Sequence, residues 1–98
     1  MKEKDLNLMQ GCLELARDAE KRGDTAVGSL IAAENGQVIA EASERNRTED
    51  LFAHAEILAI KEAVGMRGGN KLSDCTLYTS TEPVELYFFP IGPLPLHR

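Results

Sequence analysis

His54-Ala55-Glu56 is the short run whose residue types and spacing could do chemistry together. A neutral imidazole can bind a zinc ion, and a carboxylate that is not a ligand can take a proton from metal-bound water and hand it on. In a regular helix, positions two apart point away from each other, so both side chains could serve one site only at an irregular first turn. A His two residues from a Glu is also what a solvated or helix-capping pair looks like. What favours the chemical reading is the company the run keeps. A polar loop holding Asn46 comes before it, and a strand ending in Thr79-Ser80-Thr81-Glu82-Pro83 comes after, where the two ends could meet beside the helix start.

The elements that must position these residues are legible as patterns. Leu6, Met9, Leu13 and Ala16 recur at spacings of three and four, with Cys12 and Ala19 beside them and Glu14, Arg17, Asp18, Glu20 and Lys21 on the other side. This predicts an amphipathic helix over Leu6 to Arg22, capped by Asp5 and ended by Gly23. Ala26 to Ala33 and Val38 to Ala42 are small, apolar and β-branched runs joined across Asn35-Gly36, a strong hairpin signal. Ser43 to Asp50 is polar with mixed charge, a solvated loop. Ala53 to Met66 carries Ile57, Ile60 and Val64 on one face with Leu58 adjoining, and Gly65, Gly68 and Gly69 close it, so a second helix is expected. Those glycines lack the Lys-Ser/Thr end of a phosphate loop and follow a helix rather than a strand. Thr76 to Thr81 has strand composition and Glu82-Pro83 ends it. The order helix, strand, strand, helix, strand is that of a layered α/β domain.

Composition bounds the function classes. Ninety-eight residues make one small domain, close to the lower limit for an independent core. Eleven Lys+Arg against 16 Asp+Glu give a net charge of −5 with no basic run, which argues against a sequence-independent grip on nucleic acid. There is no apolar run of about 18 residues to span a membrane. Met1 to Asp5 is charged, unlike a secretion signal, so a cytoplasmic location is expected. Cys12 and Cys75 form no C-x-x-C pair and read as free thiols.

On these motifs the chain resembles the zinc-dependent cytidine deaminase superfamily, on the branch that includes nucleobase, deoxycytidylate and tRNA adenosine deaminases. The family signature is H-x-E followed by P-C-x-x-C. The first half stands as His54-Ala55-Glu56, and the strand and turn before the second half as Cys75-Thr76-Leu77-Tyr78-Thr79-Ser80-Thr81-Glu82-Pro83. Val27-Gly28-Ser29 and the Asn46 loop also sit in matching places, and the resemblance runs over residues 6 to 83. It implies a cytidine-deaminase-like three-layer α/β/α sandwich and hydrolytic deamination of a nucleobase, nucleoside or nucleotide. It further implies zinc held by His54, proton transfer by Glu56, the Ala55 N–H lining the pocket, and Asn46 contacting the base or sugar. Members commonly associate through helices beside the active site, so a homo-oligomer is in prospect.

The chain departs from the family after Pro83. Val84-Glu85-Leu86-Tyr87 stands where Cys-x-x-Cys should, and a catalytic zinc site wants three protein ligands. Cys75 is no substitute, since six strand residues at about 3.3 Å each place it roughly 20 Å from the end approaching His54. Glu85 and His97 make no persuasive site either. All four prolines and three of the five aromatics fall in the last 16 residues, and only Glu85 and Arg98 are charged beyond position 83. Residues 1–83 are therefore expected to form a deaminase-like domain, incomplete at its C-terminal end, and 84–98 an atypical apolar, Pro-rich tail. A shifted reading frame would leave such a break. The competing expectation makes Val84 to Phe89 an edge strand or docking segment that covers a bare sheet. The functional expectation is a deaminase by descent, impaired by the two missing thiolates. The alternative is a catalytically inactive fragment that serves as a binding or oligomerisation module.

Overall fold

The computed structural model describes residues 3–49, 53–68, 72–81 and 85–90, with residue 81 and the last segment entering as backbone pairing alone. Helix α1 (Glu3–Arg22) buries Leu8, Met9, Cys12, Ala16 and Ala19. The stripe at 8, 12, 16 and 19 lies about a third of a turn away from the Leu6 and Leu13 positions at 100° per residue. Leu6 is accordingly exposed and Leu13 half-buried. The helix begins at Glu3, so Asp5 lies inside its first turn rather than capping it, and its carboxylate accepts a 2.6 Å hydrogen bond from the Tyr78 hydroxyl. Acidic Glu3 and Asp5 at the start and basic Lys21 and Arg22 at the end suit the helix dipole.

Strands β1 (Val27–Ala33) and β2 (Val38–Ser43) form the expected hairpin. Asn35-Gly36 makes the turn because Gly36 takes a φ of 92°, and the Asn35 amide oxygen accepts from the Gln37 N–H at 2.9 Å. Every residue of β1 is buried, and its small side chains fit a strand covered on both faces. Strand β3 (Cys75–Thr81) pairs antiparallel along the whole of β1, and β4 (Glu85–Pro90) pairs antiparallel with β3. The sheet order is β2-β1-β3-β4. The edge strand therefore exists over 85–90, while Glu82, Pro83 and Val84, and the tail with Pro93, Pro95 and His97, lie outside the described residues.

Helix α2 (Ala55–Arg67) buries Ala55, Ala59 and Ala63 completely. This alanine stripe, rather than the Ile57 face expected from the sequence, meets the sheet, and Ile57 is 45% exposed. Small side chains at i, i+4 and i+8 let the helix axis approach closely, and Ile60 and Val64 flank the contact. Cys12, Leu8 and Met9 of α1 pack with Leu30, Ala32 and Tyr78. Ala59 and Ala63 of α2 pack with Ile31, Ala33, Ala40, Leu77 and Cys75. Alternate residues of β1 thus face opposite helices, which makes a three-layer α/β/α sandwich.

Candidate functional site at the start of the second helix

His54 is the N-cap of α2, with extended backbone at φ −81° and ψ 141°. It therefore stands outside the helical repeat, so the rule that helical positions two apart point away from each other does not bind His54 and Glu56. An N-cap normally uses its own side chain to accept a free amide of the first turn. The imidazole of His54 does not. The acceptor comes from the far side of the site instead. Glu44, just past the end of β2, sends one carboxylate oxygen to the Ala55 N–H at 2.7 Å and the other to His54 Nδ1 at 2.7 Å.

Glu44 is buried to 3% exposure, so a free carboxylate there would be costly, and both of its oxygens have partners. Its main chain is held as well: its N–H donates to the Val27 carbonyl at 2.9 Å, and its carbonyl accepts from Arg22 Nη2 at 2.8 Å. One residue thereby ties the end of α1, the start of β1, the end of β2 and the start of α2. Sequence reading placed it in a solvated charge run and missed it. The available signal was its distance of ten residues from His54, across a polar loop that must fold back.

That loop is fastened at its other end by Asp24. One oxygen accepts from the N–H groups of Arg47 and Thr48 at 3.0 and 2.8 Å, and the other from the Thr48 hydroxyl at 2.9 Å and Arg22 Nε at 3.3 Å. Burial pushes the Asp24 carboxyl up, but these donors outweigh it and hold the group below its ordinary range. Asn46 sits between the two anchors. Its amide oxygen accepts from the Thr25 N–H at 3.2 Å and its amide nitrogen donates to the Thr25 hydroxyl at 2.9 Å. One amide hydrogen and one lone pair of Asn46 remain for another partner. The Ala55 N–H has no such reserve, because Glu44 already holds it.

Pairing across the sheet places the Thr79-Ser80-Thr81 segment at the same end of the domain. Val27, which accepts from Glu44, is in register with Thr81, and Thr81 with Glu85. With strands about 4.8 Å apart, the Thr81 backbone lies about 10 Å from that of Glu44. Cys75 pairs with Ala33 at the opposite end, where Arg67 Nη1 donates to its sulfur at 3.0 Å. Burial pushes the Cys75 thiol up and the Cys12 thiol up to about 12, so both stay protonated and neither offers a thiolate.

The donor set does not fit a catalytic zinc ion held by three protein ligands. His54 offers one nitrogen, positions 84 and 87 are Val and Tyr, and among the described residues no group of three or more His, Cys, Asp or Glu stands where it could hold a metal. What the arrangement does hold is a half-exposed imidazole, a half-buried Glu56 carboxylate two residues on, and a helix N-terminus behind both.

The Glu44 hydrogen bond and charge raise the His54 pKa above its usual 6.5, against a smaller opposing effect of desolvation, and Glu56 adds to the rise. A group with a raised folded-state value stabilises the fold fully below the unfolded value. That contribution is lost as pH rises through the folded value. The free energy of unfolding should therefore fall as pH climbs from about 6.5 through the raised His54 value, and Glu44→Gln should flatten this slope. Urea unfolding across that window tests it, and identical slopes in the two proteins would refute it.

Residues 2–85 match the family described as "Cytidine and deoxycytidylate deaminase zinc-binding region". The chain is 37% identical over 76 residues to a tRNA-specific adenosine deaminase of Bacillus subtilis, covering 76% of this chain and 47% of that protein. It is 43% identical over 76 residues to a guanine deaminase of the same organism, covering 76% of this chain and 49% of the relative. The X-ray structure of guanine deaminase from Bacillus subtilis superposes with a TM-score of 0.69 at 33% identity, over 82% of this chain and 50% of the other. The chain spans about half the length of these relatives.

Proposed function

Since the chain belongs to the cytidine and deoxycytidylate deaminase family, we propose that it carries the helix-start half of a hydrolytic deaminase site and is catalytically silent as it stands. The substrate class is a nucleobase, nucleoside or nucleotide, and residues 1–83 form the domain that carries the half-site. Glu56 is the proton shuttle, taking a proton from the attacking water and passing it to the departing amine. His54 is the chain's single contribution to a zinc site. Asn46 uses its remaining donor and acceptor on the base or sugar. In the family the metal supplies an activated hydroxide. The observation that carries this reading is His54 at the N-cap and Glu56 in the first turn of α2, with His54 braced by Glu44. The guanine and tRNA adenosine deaminases among the relatives support the substrate class. A cytoplasmic location belongs to the same reading. No helix among the described residues is long and apolar enough to cross a membrane.

Purified protein should contain well under one zinc per chain and release no ammonia from cytosine, guanine or adenosine. Metal analysis and an ammonia assay check this, and stoichiometric zinc with turnover would overturn it. Val84→Cys combined with Tyr87→Cys should leave the zinc content unchanged. Residues 85–87 lie in an extended strand rather than in a helical turn.

A second reading is favoured by β4. It is an edge strand of an antiparallel sheet, and such an edge can pair with another chain. In this reading the chain is a non-catalytic binding or oligomerisation module. Its mass by sedimentation should then rise with concentration, and a monomer at high concentration would refute it.

A further inference from the structure

In an antiparallel strand the N–H and C=O of one residue point to one neighbour, and those of the next residue point the other way. The Glu44 N–H donates to the Val27 carbonyl and the Ala33 N–H to the Gln37 carbonyl, so the odd-numbered backbone groups of β1 face β2 and the even-numbered ones face β3. The Thr79 hydroxyl, 3.3 Å from the Gly28 carbonyl, agrees with this. Gly28 is in register with Ser80, and Thr79 with Tyr87. Carried through these registers, the alternation turns the backbone of Glu85, Tyr87 and Phe89 toward β3 and that of Leu86, Phe88 and Pro90 away from it. Pro90 thus takes an outward position, where its missing N–H costs the sheet no bond. Among the described residues no strand lies beyond β4. The opposite edge is guarded at its middle. Glu41 of β2 points outward, and a Glu62 carboxylate oxygen of α2 accepts its N–H at 3.0 Å.

We propose that β4 joins the β4 of a second copy, antiparallel about a two-fold axis at Tyr87, to make one sheet across two chains. This rests on the second reading above and gives it a partner and a register. With Tyr87 on the axis, Leu86 faces the partner's Phe88, and Phe88 faces the partner's Leu86. Both positions are outward, so each donates and accepts, and neither N–H is left over. Pro90 falls at the end of the joint ladder. An axis at Phe88 would instead set the partner's Pro90 opposite Leu86, whose carbonyl would find no donor. Leu86 to Pro90 carry no charge, so no like charges meet across the axis. The pair consumes both β4 edges and leaves the guarded β2 edges outermost, so association stops at two chains.

Disulfide trapping along β4 of the full chain reads the register directly. Facing residues whose backbone points away from the joint ladder lie about 4.5 Å apart at Cα, within reach of a disulfide. A step of two residues along the strand adds about 7 Å. Tyr87→Cys should therefore link to its own copy under mild oxidation. Leu86→Cys and Phe88→Cys, each two residues along from its own copy, should not. Cys12 and Cys75 are buried, and the parent chain gives their background. Phe88→Pro removes an outward donor and no bond to β3. It should sediment as a monomer, with the parent's circular dichroism, at concentrations where the parent doubles in mass. Linking led by Leu86→Cys or Phe88→Cys, no linking by Tyr87→Cys, or a parent mass that climbs past the dimer overturns the proposal. The cysteine series decides on its own should Phe88→Pro fail to fold. A parent that associates while Tyr87→Cys stays unlinked leaves the module reading standing and sinks the β4 pairing, whereas a monomeric parent sinks both.

Discussion

Gly28→Val leaves the chain unfolded under conditions where the parent is folded, and Gly28→Ala costs about 3 kcal/mol or more. Gly28 is where β1 passes directly under α1. A Cβ built there would overlap the Cys12 carbonyl oxygen and come within 2.6 Å of both the Ala16 nitrogen and Leu15 Cβ. Two of these three obstacles are helix backbone, so no side-chain rotation relieves them. Helix α1 would have to lift away, loosening Leu8, Met9 and Cys12 from Leu30, Ala32 and Tyr78. Well-packed cores yield little to such insertion, which typically costs about 1–3 kcal/mol and more when backbone is the obstacle. Gly65 supplies the control. It lies inside α2 with nothing within 4 Å of the would-be Cβ, so Gly65→Ala should stabilise by about 0.5–1 kcal/mol through helix propensity alone. Urea unfolding of both variants checks the pair, and a Gly28→Ala protein as stable as the parent would contradict the packing described here.

Glu44→Ala has the next largest effect, about 1–3 kcal/mol of stability, because the buried amide at the start of α2 is left without its charged acceptor. The Ala55 N–H is the amide concerned, and Ala55 is fully buried, so water is poorly placed to replace the carboxylate. His54 loses its Nδ1 partner in the same step. Glu44→Gln keeps an acceptor for the amide and should lose much less. Thermal unfolding separates them: for a domain of this size each 1 kcal/mol moves the midpoint by roughly 4–8 °C. Equal midpoints for the Ala and Gln variants would show that the cap contributes nothing.

Much of this fold could be read from local pattern. The hairpin at Asn35-Gly36, both helices and the Thr76 to Thr81 strand follow from signals within a few residues, because turns and periodicity are local physics. The faces were less legible. The sequence pointed to Leu6 and Ile57 as inward, whereas the sheet receives Leu8 and the Ala55, Ala59 and Ala63 stripe. An alanine face carries almost no hydrophobic signal, and only close approach to a sheet makes it the buried one. For the candidate site, His54, Glu56 and Asn46 were legible as candidates because residue type and spacing point to them. Glu44 was not, since its role comes from a contact across the β2 to α2 loop that no local window contains. Of the two accounts of the tail, an edge strand needs pairing with β3, and residues 85–90 do pair with it.

The seam between β1 and β3 has a kinetic consequence. Each hairpin joins strands close in sequence, but Ser29 and Thr79, whose hydroxyls bond at 2.9 Å across the seam, are 50 residues apart. Closing so long a loop is the slow entropic step in building a sheet. The helices cross that divide as well. Helix α1 covers β3, and α2 covers β1 and β2, so neither half of the chain completes its own core. Folding is then one cooperative event whose rate is set by the meeting of β1 with β3, and the site at the start of α2 is assembled only when that meeting has occurred.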